Sequence, residues 1–573
     1  MADTVIELKE NNIFNQSKIT TVIEWENLTL KINDKVIFEN LSGCVHSGKL
    51  SAILGPSGSG KSSLLNVLSG RIGYKKNTVI TGDIKINGVK INPLENRQNV
   101  AYVMQEDTLY PTSTPREAIE MSANLKNEDK CDINKIIESL KIEKCQNTII
   151  GSKLIKGISG GEKKRTSIGI EMVSEPQIIF LDEPTSGLDV YAAWKVVSIM
   201  KDLAESGRVV LASIHQPSSE IFDLFDNAIF LSEGNMIYDG RVRDMGTYFD
   251  MINLPCPNNY NPADHMLFLL QTIDDKDRLY LPHKSEKCVN LSKNVDKHQV
   301  EIKTKCTMKK QIKELMSREI KNLYRAKTAI MIRFIVTIFL NTLYALIFLD
   351  RGRINKNDYN LESHFGSLAN LSISAMFSAV QPILLTFPIE RPVFLREYSS
   401  GFYSVFTHFL SKTFIELFLN FIFTFVMMII TYWAIGLNGN FFLLGLIFWL
   451  QSSVGASLAL WLGSLTSNVE TAIQMTPVLL VPQILFSGVF LRVSLIPKWL
   501  RWVQYTCFLK YTINLLTIEE FKKINVEGEQ ELKDGLNLEN DLEWAYIIVL
   551  IGMFILFRLS SMYFLAKRAK DVE

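Results

Sequence analysis

Between Glu416 and Glu470 the chain carries no charged residue at all. That stretch is more than twice the ~20 apolar residues a helix needs to cross a bilayer. It predicts two membrane-spanning helices, with Leu437-Asn438-Gly439-Asn440 as the turn between them. Further uncharged runs lie at 334–349, 366–389 and 471–491, and 544–566 is broken only by Arg558. The expected spans are therefore six, near 328–349, 366–389, 413–436, 441–466, 471–491 and 544–566. Pro477 and Pro482 interrupt the fifth, and Arg333 is expected to snorkel at the near end of the first. An even number returns the chain to the side it started from. Lys and Arg cluster before the first span and again at Lys567, Arg568 and Lys570, so the positive-inside rule predicts both termini in the cytosol.

The rest of the chain is of a different kind. Charged residues crowd roughly the first three hundred of the 573 positions. This reads as a soluble domain over 1–283, a Lys-, Asn- and Ser-rich linker over 284–307, and a membrane domain over 308–573. The membrane domain opens at 308–327 with apolar residues at helical spacing among many Lys and Arg. That pattern suits a basic helix lying on a membrane surface, or a plain solvated one. The formal net charge of +1 lacks the basic footprint of a nucleic-acid binder. The opening MADTVIELKENN has no apolar core, so no cleavable signal is expected. Seven cysteines (Cys44, Cys131, Cys145, Cys256, Cys288, Cys306, Cys507) stand singly, with no CxxC pair. Reduced thiols are expected, with neither a zinc site nor a disulfide framework.

Within the soluble part, Val22–Trp25, Leu28–Leu30, Leu50–Leu54, Ile178–Leu181 and Val209–Ala212 read as strands separated by helical stretches. The alternation predicts an α/β domain with a largely parallel sheet. The third run ends at Gly55-Pro56-Ser57-Gly58-Ser59-Gly60-Lys61-Ser62, followed by Ser63 and a helical pattern. This is GxxxxGK[ST] in the strand-to-helix context that a phosphate loop requires. Its backbone N–H groups turn inward on a phosphate, and the helix N-terminus faces the same anion. Lys61 reaches the β- and γ-phosphates, and the Ser62 hydroxyl is placed for Mg²⁺. The run at Ile178 delivers Asp182 and Glu183. Asp182 suits Mg²⁺, and Glu183 suits a general base on the attacking water. A phosphate loop alone indicates nucleotide binding; the adjacent glutamate indicates hydrolysis.

Four further segments carry a family resemblance. Ser159-Gly160-Gly161-Glu162 resembles the signature motif of ABC ATPases, and Ser186-Gly187-Leu188-Asp189 resembles their D-loop. His215 resembles their switch histidine, and Gln105 their Q-loop glutamine, a further contact for the metal. The ATPase-first domain order, together with Asn261-Pro262-Ala263-Asp264, Glu390–Tyr398 and Ile496–Trp502, is similar to the G subfamily of White-type half transporters. The resemblance implies an α/β P-loop ABC ATPase domain followed by an all-α six-helix transmembrane domain. It implies ATP and Mg²⁺ as cofactors, with Glu183, His215 and Gln105 catalytic. It implies that Ser159, Gly160, Gly161 and Asp189 complete the nucleotide site of a second half transporter, in a homodimer or a heterodimer. A soluble ABC protein of translation or repair would carry two ATPase domains and no spans.

The same resemblance makes the bilayer and a hydrophobic or amphipathic small molecule the partners, with no nucleic acid. It implies export by a multi-pass integral protein, in the plasma membrane rather than an internal one. The alternative is a regulatory or obligate heterodimer subunit without independent transport. In the subfamily spans two and five line the path. Here they carry Phe377, Ser378, Gln381, Gln483, Phe486, Val489 and Phe490, with no charge at mid-span, which favours a lipid, sterol or xenobiotic. ABC ATPases often stack adenine on an aromatic residue ahead of the phosphate loop. Here that place falls near Ile32, with Trp25 and Phe38 nearby.

Overall fold

The computed structural model describes residues 21–33, 35–72, 77–126, 131–152, 155–273, 306–354, 359–466, 468–490, 495–522 and 543–572. The expected linker, apart from its last two residues, and the loop at 523–542 lie outside this set. The chain divides into two compact units. The first holds Met1–Lys310, Arg396–Tyr403 and Lys570–Glu573, and the second holds Gln311–Leu395 and Ser404–Ala569.

The strands of the first unit are β1 (Val22–Ile32), β2 (Lys35–His46), β3 (Leu50–Leu54), β4 (Thr78–Ile86), β5 (Val89–Lys90), β6 (Val100–Val103), β7 (Ile178–Leu181), β8 (Val209–Ser213), β9 (Asn227–Ser232) and β10 (Asn235–Arg241). Its helices are α1 (Lys61–Leu68), α2 (Pro93–Asn96), α3 (Pro115–Lys126), α4 (Ile133–Ser139), α5 (Gly160–Met172), α6 (Val190–Glu205), α7 (Ser219–Phe222), α8 (Met245–Met251) and α9 (Pro262–Thr272). Two sheets form, β2-β1-β4-β5 and β10-β9-β3-β8-β7-β6. The first is antiparallel. In the second only the β9–β10 pair is antiparallel. Strands β3, β7 and β8 are buried at every residue, as parallel strands covered on both faces must be, which is why they read as unbroken apolar runs. The two short runs read at 22–30 are one strand with an irregular register at Asn27, whose backbone is left-handed. Trp25 and Phe38 belong to the core shared with Ile53, Leu64 and Phe180, so neither is available to a base. The expectation of seven free thiols is corrected at Cys44. It is disulfide-bonded, and no CxxC pair marks it in the sequence.

The second unit is helical: α10 (Met308–Arg325, begun in the first unit), α11 (Lys327–Ile347), α12 (Leu361–Ser399), α13 (Val405–Ile435), α14 (Phe441–Leu465), α15 (Val469–Leu485), α16 (Phe508–Phe521) and α17 (Glu543–Val572). Five described helices are long and apolar enough to cross a membrane: α11, α12, α13, α14 and α17. The run expected as a fifth span folds as α15, which has only 17 residues and contains Pro477 and Pro482. At 1.5 Å per residue it rises about 25 Å, short of the ~30 Å hydrocarbon core. Helix α12 continues without a break through Pro382, Pro388 and Pro392 into the charged segment read as following the second span. Arg333 does not snorkel. Its guanidinium lies over Phe423, 4.0 Å from the ring centroid, and donates to Ser378 O and Asn420 Oδ1. Lining residues Arg333, Asn341 and Asn420 enclose a cavity of about 20 Å³, room for about one water. Helix α16 was not expected. It is almost wholly buried, and its Glu520 pairs with His364 at 2.9 Å while accepting from the N–H groups of Asn438 and Gly439. The turn between α13 and α14 is thus anchored by α16. Arg558 of α17 pairs with Glu416 of α13 at 2.6 Å and donates to Ser457 of α14 at 2.9 Å.

Candidate nucleotide site

The phosphate loop leaves the C-terminal end of β3, between β8 and β9, where open parallel sheets place their ligands. Gly55, Gly58 and Gly60 have φ of 152°, 80° and 100°. At Gly55 a Cβ would stand 2.1 Å from the carbonyl oxygen of Leu231, so only glycine fits. Lys61 is buried and its ammonium donates to Gly55 O at 2.8 Å and Pro56 O at 3.0 Å, inside the loop. Burial lowers its pKa, opposed by the carboxylates of Glu183 and Asp182. Ser59 is buried with a hydroxyl that has no protein partner, which suits a loop that wraps an anion.

Asp182 and Glu183 follow β7 directly. Asp182 Oδ1 accepts from Ser62 Oγ at 2.8 Å and from Ser213 Oγ at 2.6 Å. A carboxylate and a hydroxyl at this spacing form a hard-oxygen donor set of the kind Mg²⁺ takes beside phosphates. Glu183 has φ of 43°, in the left-handed region, and its N–H donates to Ser213 Oγ at 2.9 Å. Its carboxylate accepts from Gln105 Nε2 at 2.7 Å. The structure thus brings Lys61, Ser62, Asp182, Glu183 and Gln105 together. His215 is exposed and, with Thr185, Leu188, Pro217, Asp264 and Phe268, lines an open cleft of about 610 Å³.

The signature residues sit at the start of α5. Ser159 caps α5 in a capping box with Glu162, and Ser159 and Gly160 are exposed. Asp189 caps α6, accepting from Ala192 N–H at 2.8 Å. A Cβ on Gly161 would meet Ala192 Cβ at 3.0 Å, so the small residue lets the starts of α5 and α6 close on each other. Sequence reasoning missed Ser213 and Tyr102 as site residues. Tyr102 OH donates to Asn66 Oδ1 at 2.7 Å and lies 3.4 Å from Asp182 Oδ2. The available signal was that Ser213 ends β8 and Tyr102 stands one residue before the end of β6, both buried strands that flank β7. Of the residues proposed to line a path, Phe377 and Phe490 are exposed, whereas Gln483 is spent on the Phe508 N–H at the start of α16.

The family described as ABC transporter matches residues 38–186, and the family described as ABC-2 type transporter matches residues 310–521. The chain is 31% identical to the cattle (Bos taurus) broad substrate specificity ATP-binding cassette transporter ABCG2, over 91% of this chain and 85% of that one. It is 30% identical to Protein white of Drosophila melanogaster, over 86% of this chain and 75% of that one. It is also 30% identical to ABC transporter G family member 4 of Arabidopsis thaliana, over 93% and 94% of the two chains.

Proposed function

Because this chain belongs to the G family of ABC transporters, ATP-hydrolysing integral membrane proteins, we propose that it exports a hydrophobic or amphipathic substrate as one half of a dimer. The observation that carries the hydrolytic part is the convergence of Ser62, Asp182, Glu183 and Gln105 beside Lys61. In this reading Lys61 exchanges the loop carbonyls for the β- and γ-phosphates of ATP. Ser62 and Asp182 would hold Mg²⁺, which would supply charge neutralisation at the transferred group. Glu183, oriented by Gln105, takes the proton of the attacking water. Ser159, Gly160 and Gly161 of a second half meet the γ-phosphate at an exposed helix N-terminus, the preferred place for an anion. Asp189 and His215 act at the same junction. Closure on ATP and opening after hydrolysis drive alternating access.

Support for an apolar substrate comes from the uncharged middles of α12 and α15. We place the protein in the plasma membrane with both termini cytosolic, α15 as a short sixth crossing, and 523–542 outside. The test uses inside-out vesicles bearing the full chain. ATP-dependent uptake of a labelled sterol or flat hydrophobic dye is expected, together with a cysteine placed at Gly528 that reacts only after permeabilisation. ATP hydrolysis without uptake or stimulation by any apolar probe would instead favour the regulatory-subunit alternative.

A further inference from the structure

We infer that Arg71 and Tyr102 are positioning residues that tie the carboxylate of Asp182 to the chain segment Arg396–Tyr403. The inference rests on the reading of Asp182 as the Mg²⁺ holder. The segment belongs to the first unit, although it continues helix α12. Starting from Asp182, the contacts run unbroken. The Tyr102 hydroxyl lies 3.4 Å from Asp182 Oδ2 and donates to Asn66 Oδ1, on the same helix α1 that begins at Lys61. The Arg71 guanidinium lies on the Tyr102 ring, 4.7 Å from its centroid, and donates to Ser399 Oγ at 3.1 Å. Ser399 in turn donates to Arg396 O, and Arg396 donates to Thr108 O, three residues past Gln105.

A second grip comes from α5. Glu171 accepts from Ser400 Oγ at 3.3 Å and pairs with Lys126 at 3.2 Å, while the Lys126 ammonium lies 5.1 Å from the Phe402 ring. Helix α1 and helix α5 therefore each carry a nucleotide-site element at the N-terminus, Lys61 and Ser159, and a hold on this segment at or just past the opposite end. Tyr102 and Arg71 link the carboxylate to the α1 hold. Arg71 is buried with Arg97 and Arg396 opposing its charge and Glu171 favouring it. A cation so placed is a costly way to gain stability alone. A planar guanidinium also stacks and forks in a way a lysine does not.

The test measures binding of Mn²⁺, a paramagnetic stand-in for Mg²⁺, to the nucleotide-loaded purified full chain by electron paramagnetic resonance, alongside ATP hydrolysis as a function of free Mg²⁺. Ser399→Ala changes a residue that reaches Asp182 through Arg71 and Tyr102. It is expected to move the Mg²⁺ half-saturation by about threefold or more, as Tyr102→Phe does, and the double variant should show less than the product of the two shifts. Arg71→Lys should show the same shift, because charge without the fork does not rescue it. An unchanged half-saturation in Ser399→Ala, or two shifts that simply multiply, overturns the inference. Asp182→Asn separates the two failures: if it keeps the wild-type Mg²⁺ response, the metal reading is what has failed.

Discussion

Glu183 shows at residue scale what the site requires. A non-glycine backbone at φ 43° costs roughly 1–3 kcal/mol, and the neighbouring Ser213 hydroxyl and Gln105 amide hold it there. The strained turn lets consecutive residues face different partners, Asp182 toward Ser62 and Glu183 toward Gln105. Replacing Glu183 by Gln keeps the side-chain volume and removes the base. The expected outcome is ATP binding close to wild type with hydrolysis slowed about 10²–10⁴-fold, measured as phosphate release by purified protein. Turnover within a few-fold of wild type would remove Glu183 from its assigned role.

At the scale of elements, the membrane unit is tied together by polar pairs that interrupt apolar helices. Arg558 links α17 to Glu416 of α13 and Ser457 of α14, and all three side chains are shielded by the bundle. Breaking one partner of such a pair costs about 3–5 kcal/mol, because the other charge is left buried alone. Arg558→Met should therefore lower the thermal stability of the solubilised protein sharply, and adding Glu416→Gln should restore part of the loss. The same pairs explain what could and could not be read beforehand. The phosphate loop and the Asp182-Glu183 pair are contiguous, each following a short apolar strand, so local pattern identified them. Ser213 reaches Asp182 only because β8 pairs beside β7 in the register Leu181↔Ala212, a fact of topology rather than of spacing. Helix α16 escaped notice because Lys510, Asn514 and Glu520 break its hydropathy, although all three are buried. Arg333 looked like a near-end anchor because it flanks an apolar run; only tertiary packing reveals Asn420 and Phe423 as its partners.

At the scale of the whole molecule, one chain holds one phosphate loop and one signature helix, and each is bonded to its own neighbours: Ser159 to Glu162, Lys61 to its own loop. The halves are expected to associate without a covalent link. Residues 522–542 contain no cysteine, and Cys507 is buried, with its thiol 3.4 Å from Val503 O and 3.7 Å from Pro482 O. A non-reducing gel after alkylation should show monomer; a covalent dimer abolished by Cys507→Ser would contradict this.

The central claim, that hydrolysis needs the phosphate loop of one half and the signature of another, is tested most directly by complementation between two differently tagged copies. One carries Lys61→Ala and the other Ser159→Arg, and each is expected to be inactive when expressed alone. In doubly tagged dimers the intact loop of the second copy faces the intact signature of the first, so the account predicts that a fraction of wild-type ATP hydrolysis returns. Doubly tagged dimers that form but hydrolyse no ATP would contradict it.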